Sequence, residues 1–499
     1  PAETERPEGL TALGGASETR LLLLYFDESA LDRGQRAALV RRLTESLAGL
    51  APGARVMVAG RKANSLRIYQ PFTDRLDLLT TAVEAAAQGA PDNPTAAAVS
   101  AFLNDIERAL SAIDDRPQAS ARGQSRVLSA RASSLVGEAV QRVAQSGEFF
   151  EQLIFMLGGL PGRKGLLYIG DGLALSPGEV IGSALREVFS RFEMRSVSDS
   201  LDSTSAASLG GAWLAEAAAQ AASREVAVYA LDTTDALASP SVSAEYRSMD
   251  FGRSGGAAPT DTWTPGISSR RRAEIQNALQ GVAERTGGRL VQPHRGDLLK
   301  GVFDDLATYY SLGIRAPGTD PPPGALEVTV EGRGLQVHHR RAAQRRSVDA
   351  IDADRTIAAL LGTPLDEGQG RPLAAVVTVG EISAGEEGSV VVPLTVAMPI
   401  EDLRFVARGL EHAAQLSVFV ATRDAQGRIS AVRRTTLPVT LANTDLATAL
   451  GQRVEYRQEL LMPPGPADVA IAVRDDIESA LTLTTLHLEV AASATPATQ

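Results

Sequence analysis

The sequence predicts an α/β domain with a doubly wound, mostly parallel sheet, followed by an all-β, sandwich-like domain. Two patterns carry this. In the first part of the chain, short apolar runs alternate with helix-period segments, as β-α-β crossovers require. From residue 372 onward, seven short strand patterns recur with turns between them, as in an antiparallel sandwich. A chain of 499 residues is also too long for a single core.

Taken in order, residues 1–18 are polar and small and read as a tail or linker. Leu21 to Phe26 is a continuous apolar run ending at Asp27, the pattern of a strand buried on both faces. A helix over 33–50 follows, with Leu39, Val40, Leu43, Leu47 and Leu50 three or four apart. After the Ala51-Pro52-Gly53 turn come two strands, Arg55 to Ala59 and Ser65 to Tyr69, close enough to pair as an antiparallel edge. Residues 95–157 read as one or two long helices broken near Arg116-Pro117, a helical insertion near 96–157 in the domain. Leu166 to Ile169 is a strand ending at Gly170-Asp171-Gly172, and an Ala-rich helix over 207–224 leads into the strand Val226 to Leu231 and Asp232.

Residues 238–269, rich in Ser, Gly, Pro and Thr, are expected to be a mobile surface loop. A helix over 270–286, a short strand Arg289 to Val291 and a helix Asp297 to Thr308 complete the alternation. The segment LEVTVEGRGLQVHHR alternates about Gly332-Arg333-Gly334, a hairpin signature. The expected organisation is therefore an α/β domain over 19–342, a linker over 343–371 with a short helix near 351–361, a β-domain over 372–491 and a tail over 492–499.

Composition narrows the function. The net charge is −11, which argues against nucleic acid as a partner. The arginine clusters 270–272 and Arg340, Arg341, Arg345, Arg346 are short and read as solvated helix or loop ends. There is no cysteine, so disulfides, thiolate metal sites and a cysteine nucleophile are excluded. The five histidines are scattered, without metal-ligand or triad spacing. No stretch reaches the ~20 apolar residues that cross a bilayer. The sequence begins at Pro1 rather than Met, consistent with either a cleaved signal peptide or a trimmed chain.

Strands ending at Asp27, Asp171 and Asp232, in this order of elements, resemble the von Willebrand factor type A fold. The match is closer to a bacterial group, the von Willebrand factor A-related domain proteins known from acidobacterial and similar genomes. It is carried by LLLLYFDE (21–28), PFTDR (71–75), GRKGLLYIGDG (162–172), VAVYALDT (226–233), AERTGGRLV (283–291) and DLATYYSLGIRAP (305–317), with the hairpin after them. The resemblance covers roughly 19–342.

Members with an active metal site hold Mg²⁺ with an Asp-x-Ser-x-Ser loop, a Thr from a second loop and an Asp from a third. Here Asp27 and Ser29 keep the first two positions, Asp171 matches the third-loop Asp, and Thr95 is the candidate second-loop Thr. Leu31 stands where the second Ser belongs, and a leucine supplies no oxygen to a hard cation. The resemblance thus implies a degenerate adhesion site without a bound cofactor. The alternative role for Asp27, Asp171 and Asp232 is capping of adjoining loops and helix starts.

Enzyme signatures are weak. LGGLPGRKG (157–165) lacks the phosphate-loop spacing, and Gly252-Arg253-Ser254-Gly255-Gly256 matches GxSxG without a strand leading into it. The pairs Asp304-Asp305 and Asp475-Asp476 read as solvated carboxylates. The expected function is non-enzymatic: an exported protein, extracytoplasmic in location, that binds or assembles with protein partners. The alternative is a structural component of a secreted or cell-surface assembly that works without metal-dependent binding. A hydrolase with an unrecognised site is a third reading.

Overall fold

The computed structural model describes residues 20–27, 33–50, 52–62, 65–88, 102, 118–170, 206–232, 276–291, 297–308, 324–325, 327–331, 337–343, 346–362 and 373–490. The expected loop over 238–269 and both tails lie outside these residues.

The first part is an α/β domain on a six-stranded sheet. Its strands are β1 (Arg20–Asp27), β2 (Ala54–Lys62), β3 (Ser65–Thr73), β4 (Arg163–Gly170), β5 (Val226–Asp232) and β6 (Leu290–Val291). They stand in the order β3-β2-β1-β4-β5-β6. Every neighbouring pair is parallel except β2 with β3, the antiparallel edge expected from their spacing. Strand β1 is central, and its alternating side chains feed two cores. Leu21, Leu23 and Tyr25 enter one, Leu22, Leu24 and Phe26 the other. Burial on both faces is why its sequence is a continuous apolar run.

The second core is closed by α1 (Arg33–Leu47) and α2 (Leu76–Gln88), which supply Leu39, Leu43, Leu79 and Val83. The first is closed by a 41-residue helix, α3 (Gln118–Gly158), and by α4 (Ala206–Ser223). Helix α3 is described from Gln118 on, and the expected break near Arg116-Pro117 lies outside the described residues. Residues 276–286 form a further helix on the same face, and α5 (Lys300–Ala307) lies on the opposite one.

Of the expected hairpin after 325, the described residues show a short ladder of β7 (Gly324–Ala325) against β8 (Ala342–Ala343). Residues 327–331 and 337–340 are not in strands, and its turn over 332–336 lies outside the described residues. Val330 and Val337 are 52% and 38% exposed, so the apolar side of the alternation meets no core that would hold it in a sheet.

The second part is built of antiparallel sheets. One contains β9 (Val376–Val379), β10 (Ser383–Ala384), β11 (Val390–Pro399) and β15 (Arg453–Met462). The other contains β12 (Val406–Arg408), β13 (Glu411–Arg423), β14 (Arg433–Ala442), β16 (Gly465–Asp475) and β17 (Leu481–Val490). Val392, Leu394 and Val396 of β11 meet Leu416, Val418 and Val420 of β13 and Val469, Ile471 and Val473 of β16 in one core.

The reverse face of β13 and β16 is also covered. It carries Ser417, Phe419, Ala421, Ala470 and Ala472, all buried. The cover is helix α6 (Val348–Leu360), which lies on β13 and β16 and, on its other side, on α3. The segment expected as a linker therefore holds an interior helix. Small residues on the strands admit it, and glycines admit it on the α3 side. A Cβ on Gly159 would stand 2.5 Å from the Asp354 carbonyl oxygen and 2.6 Å from the Arg355 nitrogen.

Charged groups fix α6 on both sides. Asp352 and Asp354 are 1% and 2% exposed and, two residues apart, project roughly 200° from each other around the helix. Asp354 meets Arg224 of the α/β domain at 2.7 Å and Arg346, just before α6 itself, at 3.2 Å. Asp352 and Asp349 each lie 2.6 Å from Arg474 of β16. Burial acts against the Arg474 charge, yet the hydrogen bonds it donates to Asp349, Asp352 and Asp476 hold its pKa above the usual range. Burial pushes the Asp354 carboxyl upward, opposed by Arg224 and Arg346.

Two further expectations change here. Arg346 is not a solvated loop end: it ion-pairs with buried Asp354 and donates to the Gly158 carbonyl at 3.1 Å. Asp475 is not a solvated turn carboxylate. It is 1% exposed and accepts from the Arg404 and Ile477 amides at 2.7 and 2.8 Å.

Two outcomes are expected. Gly159→Ala should cost about 1–3 kcal/mol, because backbone rather than a movable side chain stands in the way. Urea unfolding followed by circular dichroism measures it, and an unchanged midpoint would mean α6 is not held against α3. Lys164, buried in β4 with its ammonium on the Leu160 carbonyl, has its pKa pushed by burial down to about 8. The unfolded chain then holds the extra proton between about pH 8 and 10.5, so this group's contribution to stability rises with pH across that window. Lys164→Met should flatten that rise, by up to about 3 kcal/mol, in urea titrations at pH 7.5 and 10.5.

Candidate functional site

Strand order reverses between β1 and β4, which places a topological switch point at their carboxyl ends. Open α/β sheets bind ligands in the crevice outside such a point. Asp27 closes β1 and Gly170 closes β4 there, with Asp232 in register with Gly170 at the end of β5. Of the four candidate metal ligands, Asp27 is among the described residues; Ser29, Thr95 and Asp171 lie outside them.

Asp27 is 3% exposed and shares its face of the sheet with Tyr25. The Tyr168 hydroxyl donates to its Oδ2 at 2.9 Å, and the Ser146 hydroxyl lies 3.4 Å from the same oxygen. Tyr168 comes from β4, and its ring is fixed by Tyr25 at 6.0 Å and by Phe150 of α3 edge-on at 6.4 Å. Ser146 comes from α3, so the long helix roofs the carboxylate.

Arg61 is the register partner of Asp27 on β2 and is 2% exposed. Its guanidinium donates to Ser146 Oγ and, at 3.1 Å, to Gln145 Oε1. One face of the crevice therefore presents a carboxylate, a phenol, a hydroxyl and a guanidinium in hydrogen-bonded sequence. Gly170 leaves the room for this: a Cβ there would lie 3.0 Å from the Tyr168 hydroxyl and 3.2 Å from the Asp27 Cβ.

The Asp27 Oδ2 is engaged by two protein hydroxyls, and a buried guanidinium stands in register beside it. Among the described residues, no group of three or more His, Cys, Asp or Glu is arranged to hold a metal ion.

Tyr168, Arg61 and Ser146 were not among the expected site residues. Arg61 stands beside exposed Lys62 at the end of β2, and nothing local marks it as the buried one of the two. The contact between Ser146 and Asp27 spans 119 positions and has no local signature.

The carboxylate pairs are structural. Asp304 pairs with Lys300 on an exposed helix face, and Asp305 faces Arg289 at 3.1 Å, its pKa raised by burial. Asp476 binds Arg474, Gln415 and Ser417.

No protein-family model matches the chain, and no curated protein matches it. Among solved structures, a protein designated ApaA from Bordetella pertussis is 14% identical over 25% of this chain and 98% of its own, with a TM-score of 0.17. A structural-genomics target is 10% identical over 25% of this chain and 91% of its own, also with a TM-score of 0.17. A family GH3 β-glucosidase from Bifidobacterium adolescentis is 12% identical over 58% of this chain and 43% of its own, with a TM-score of 0.15. At these scores the likenesses carry no argument about function. The sheet itself, Rossmann-like and mixed, is consistent with a von Willebrand factor A-like domain.

Tyr168→Phe removes a donor from a buried carboxylate and should cost about 1.5–3 kcal/mol in chemical unfolding. A cost near zero would show that the Asp27 carboxylate does not depend on the phenol.

Proposed function

We propose that this chain is a non-enzymatic binding or assembly protein, acting outside the cytoplasm through a von Willebrand factor A-like domain whose metal site is degenerate. The observation that carries this reading is the engagement of Asp27. The carboxylate at the head of the adhesion motif is turned under α3 and accepts from Tyr168, with Arg61 and Ser146 beside it. Arg61 contributes the positive charge at this strand end, so a metal has no charge to supply there. Leu31 in the place of the motif's second Ser points the same way.

Binding on this reading uses the rigid frame itself: strand-end loops held by a sheet that is packed on both faces. The extracytoplasmic location and the bacterial grouping rest on the resemblance over 19–342, and the partners are proteins.

Calorimetric titration of the chain with Mg²⁺ and Mn²⁺ tests it. The expected result is the absence of any binding heat that Asp27→Ala removes. Micromolar to low-millimolar binding, lost in both Asp27→Ala and Asp171→Ala while circular dichroism shows each variant folded, would overturn the degenerate site and restore metal-dependent adhesion.

A further inference from the structure

A second cleft is formed by both parts of the chain and begins at Lys62, the residue after Arg61 on β2. The turn between β13 and β14 docks on β3: Gly427, at φ +78°, lies so close to Leu66 that a Cβ would stand 2.6 Å from its carbonyl oxygen. Beside this contact opens a cleft of about 420 Å³. One wall is the end of β2 and the start of β3, with Lys62 and Arg67; the other carries Arg423, Asp424, Asp468 and His487.

The charge of this cleft runs against that of the chain. The protein carries 60 acidic and 49 basic residues, whereas four of these six lining residues are basic or, as His487, able to become so. The two carboxylates are already engaged, Asp468 by Arg423 and His487 of its own wall, with Glu489 3.8 Å from His487. The unbalanced positive charge of the cleft is therefore that of Lys62 and Arg67. Asp424 accepts from Arg428 Nε at 2.7 Å and from the Gln426 and Arg428 amides. Asp468 lies 2.7 Å from His487 Nδ1 and 3.9 Å from Arg423. On the opposite wall Lys62 and Arg67 have no carboxylate within ion-pair distance among the described residues, and Arg67 rests over the Tyr69 ring at 5.0 Å.

Arg423, Asp468 and His487 are consecutive cross-strand partners on β13, β16 and β17, so this wall is a fixed row rather than a set of loose side chains. Its volume is in the range of small-molecule sites. A nucleic acid is disfavoured by the overall charge of −11.

We propose that this cleft binds a small organic polyanion, bearing phosphate or carboxylate groups, whose charge is met by Lys62 and Arg67 on one wall and which rests against the Arg423-Asp468-His487 row of the other. Such a ligand bridges the α/β domain and the β-rich part, and bound only by the folded chain it raises the unfolding temperature.

The test titrates the full chain with inorganic phosphate, pyrophosphate and citrate at about 0.15 M NaCl, where exposed charges are screened. Calorimetry and thermal unfolding are read together. At least one probe should bind saturably at one site, phosphates and citrate separating the two acid types. The double change Lys62→Gln with Arg67→Gln should weaken binding about tenfold or more, roughly 1.4 kcal/mol. His487→Gln should weaken it less, and Arg457→Gln, on β15 outside the cleft, should leave it unchanged. No saturable binding of any probe up to about 10 mM, corresponding to less than about 3 kcal/mol, would overturn the proposal. So would binding that the double change and Arg457→Gln alter equally.

Discussion

The placement of one helix between two sheets governs the rest of this molecule. Helix α6 has buried carboxylates on opposite sides, one facing Arg224 of the α/β domain, with Arg346 beside it, and the other facing Arg474 of the β-rich part. Buried ion pairs seldom add net stability over an apolar replacement, because desolvation offsets most of the attraction. Their effect is to penalise wrong arrangements. A rotation of α6 about its axis would strand Asp352 or Asp354 without a partner in a dry interior, which costs several kcal/mol. The glycines of α3 and the alanines of β13 and β16 let the helix approach closely, and the charges select its orientation.

This arrangement also decides which strand patterns the β-rich part shows. Strand β11 lies in the sheet away from α6, and its residues alternate buried and half-buried along its length. In β13 and β16 the alternation gives way to runs of buried residues, because α6 covers the second face. Phe419 lies on that covered face between Arg474 and Arg434, whose guanidiniums stand 5.5 and 6.0 Å from its ring. Packing is thus continuous from the parallel sheet through α3 and α6 to the sandwich core.

Much of this was legible in the residues. The apolar run of β1, the antiparallel pairing of β2 with β3 and the seven main strands after 372 follow from periodicity and turn spacing. The helix near 351–361 was legible too, but not its burial, because Asp349, Asp352, Asp354 and Arg355 give α6 the composition of a solvated segment; nothing local says that arginines neutralise it. Asp475 and Arg346 were misread for the same reason. At the switch point, the position of Asp27 follows from the end of an apolar run, but its partners do not. Tyr168 lies on a strand that meets β1 only through a crossover, and Ser146 on a helix that any local pattern leaves free to pack elsewhere.

The two-sided charge of α6 bears on how this chain can be divided. A cut before Val348 leaves the β-rich half with Asp354 exposed and the α/β half with Arg224 and Arg346 lacking their shared anion. A cut after Gly362 leaves Asp349 and Asp352 facing water on one fragment and the Arg474 cluster bared on the other. Either fragment would present a charged scar where the intact protein has an interior. The helix belongs to both halves, and no single peptide bond within 343–371 separates them into two complete surfaces.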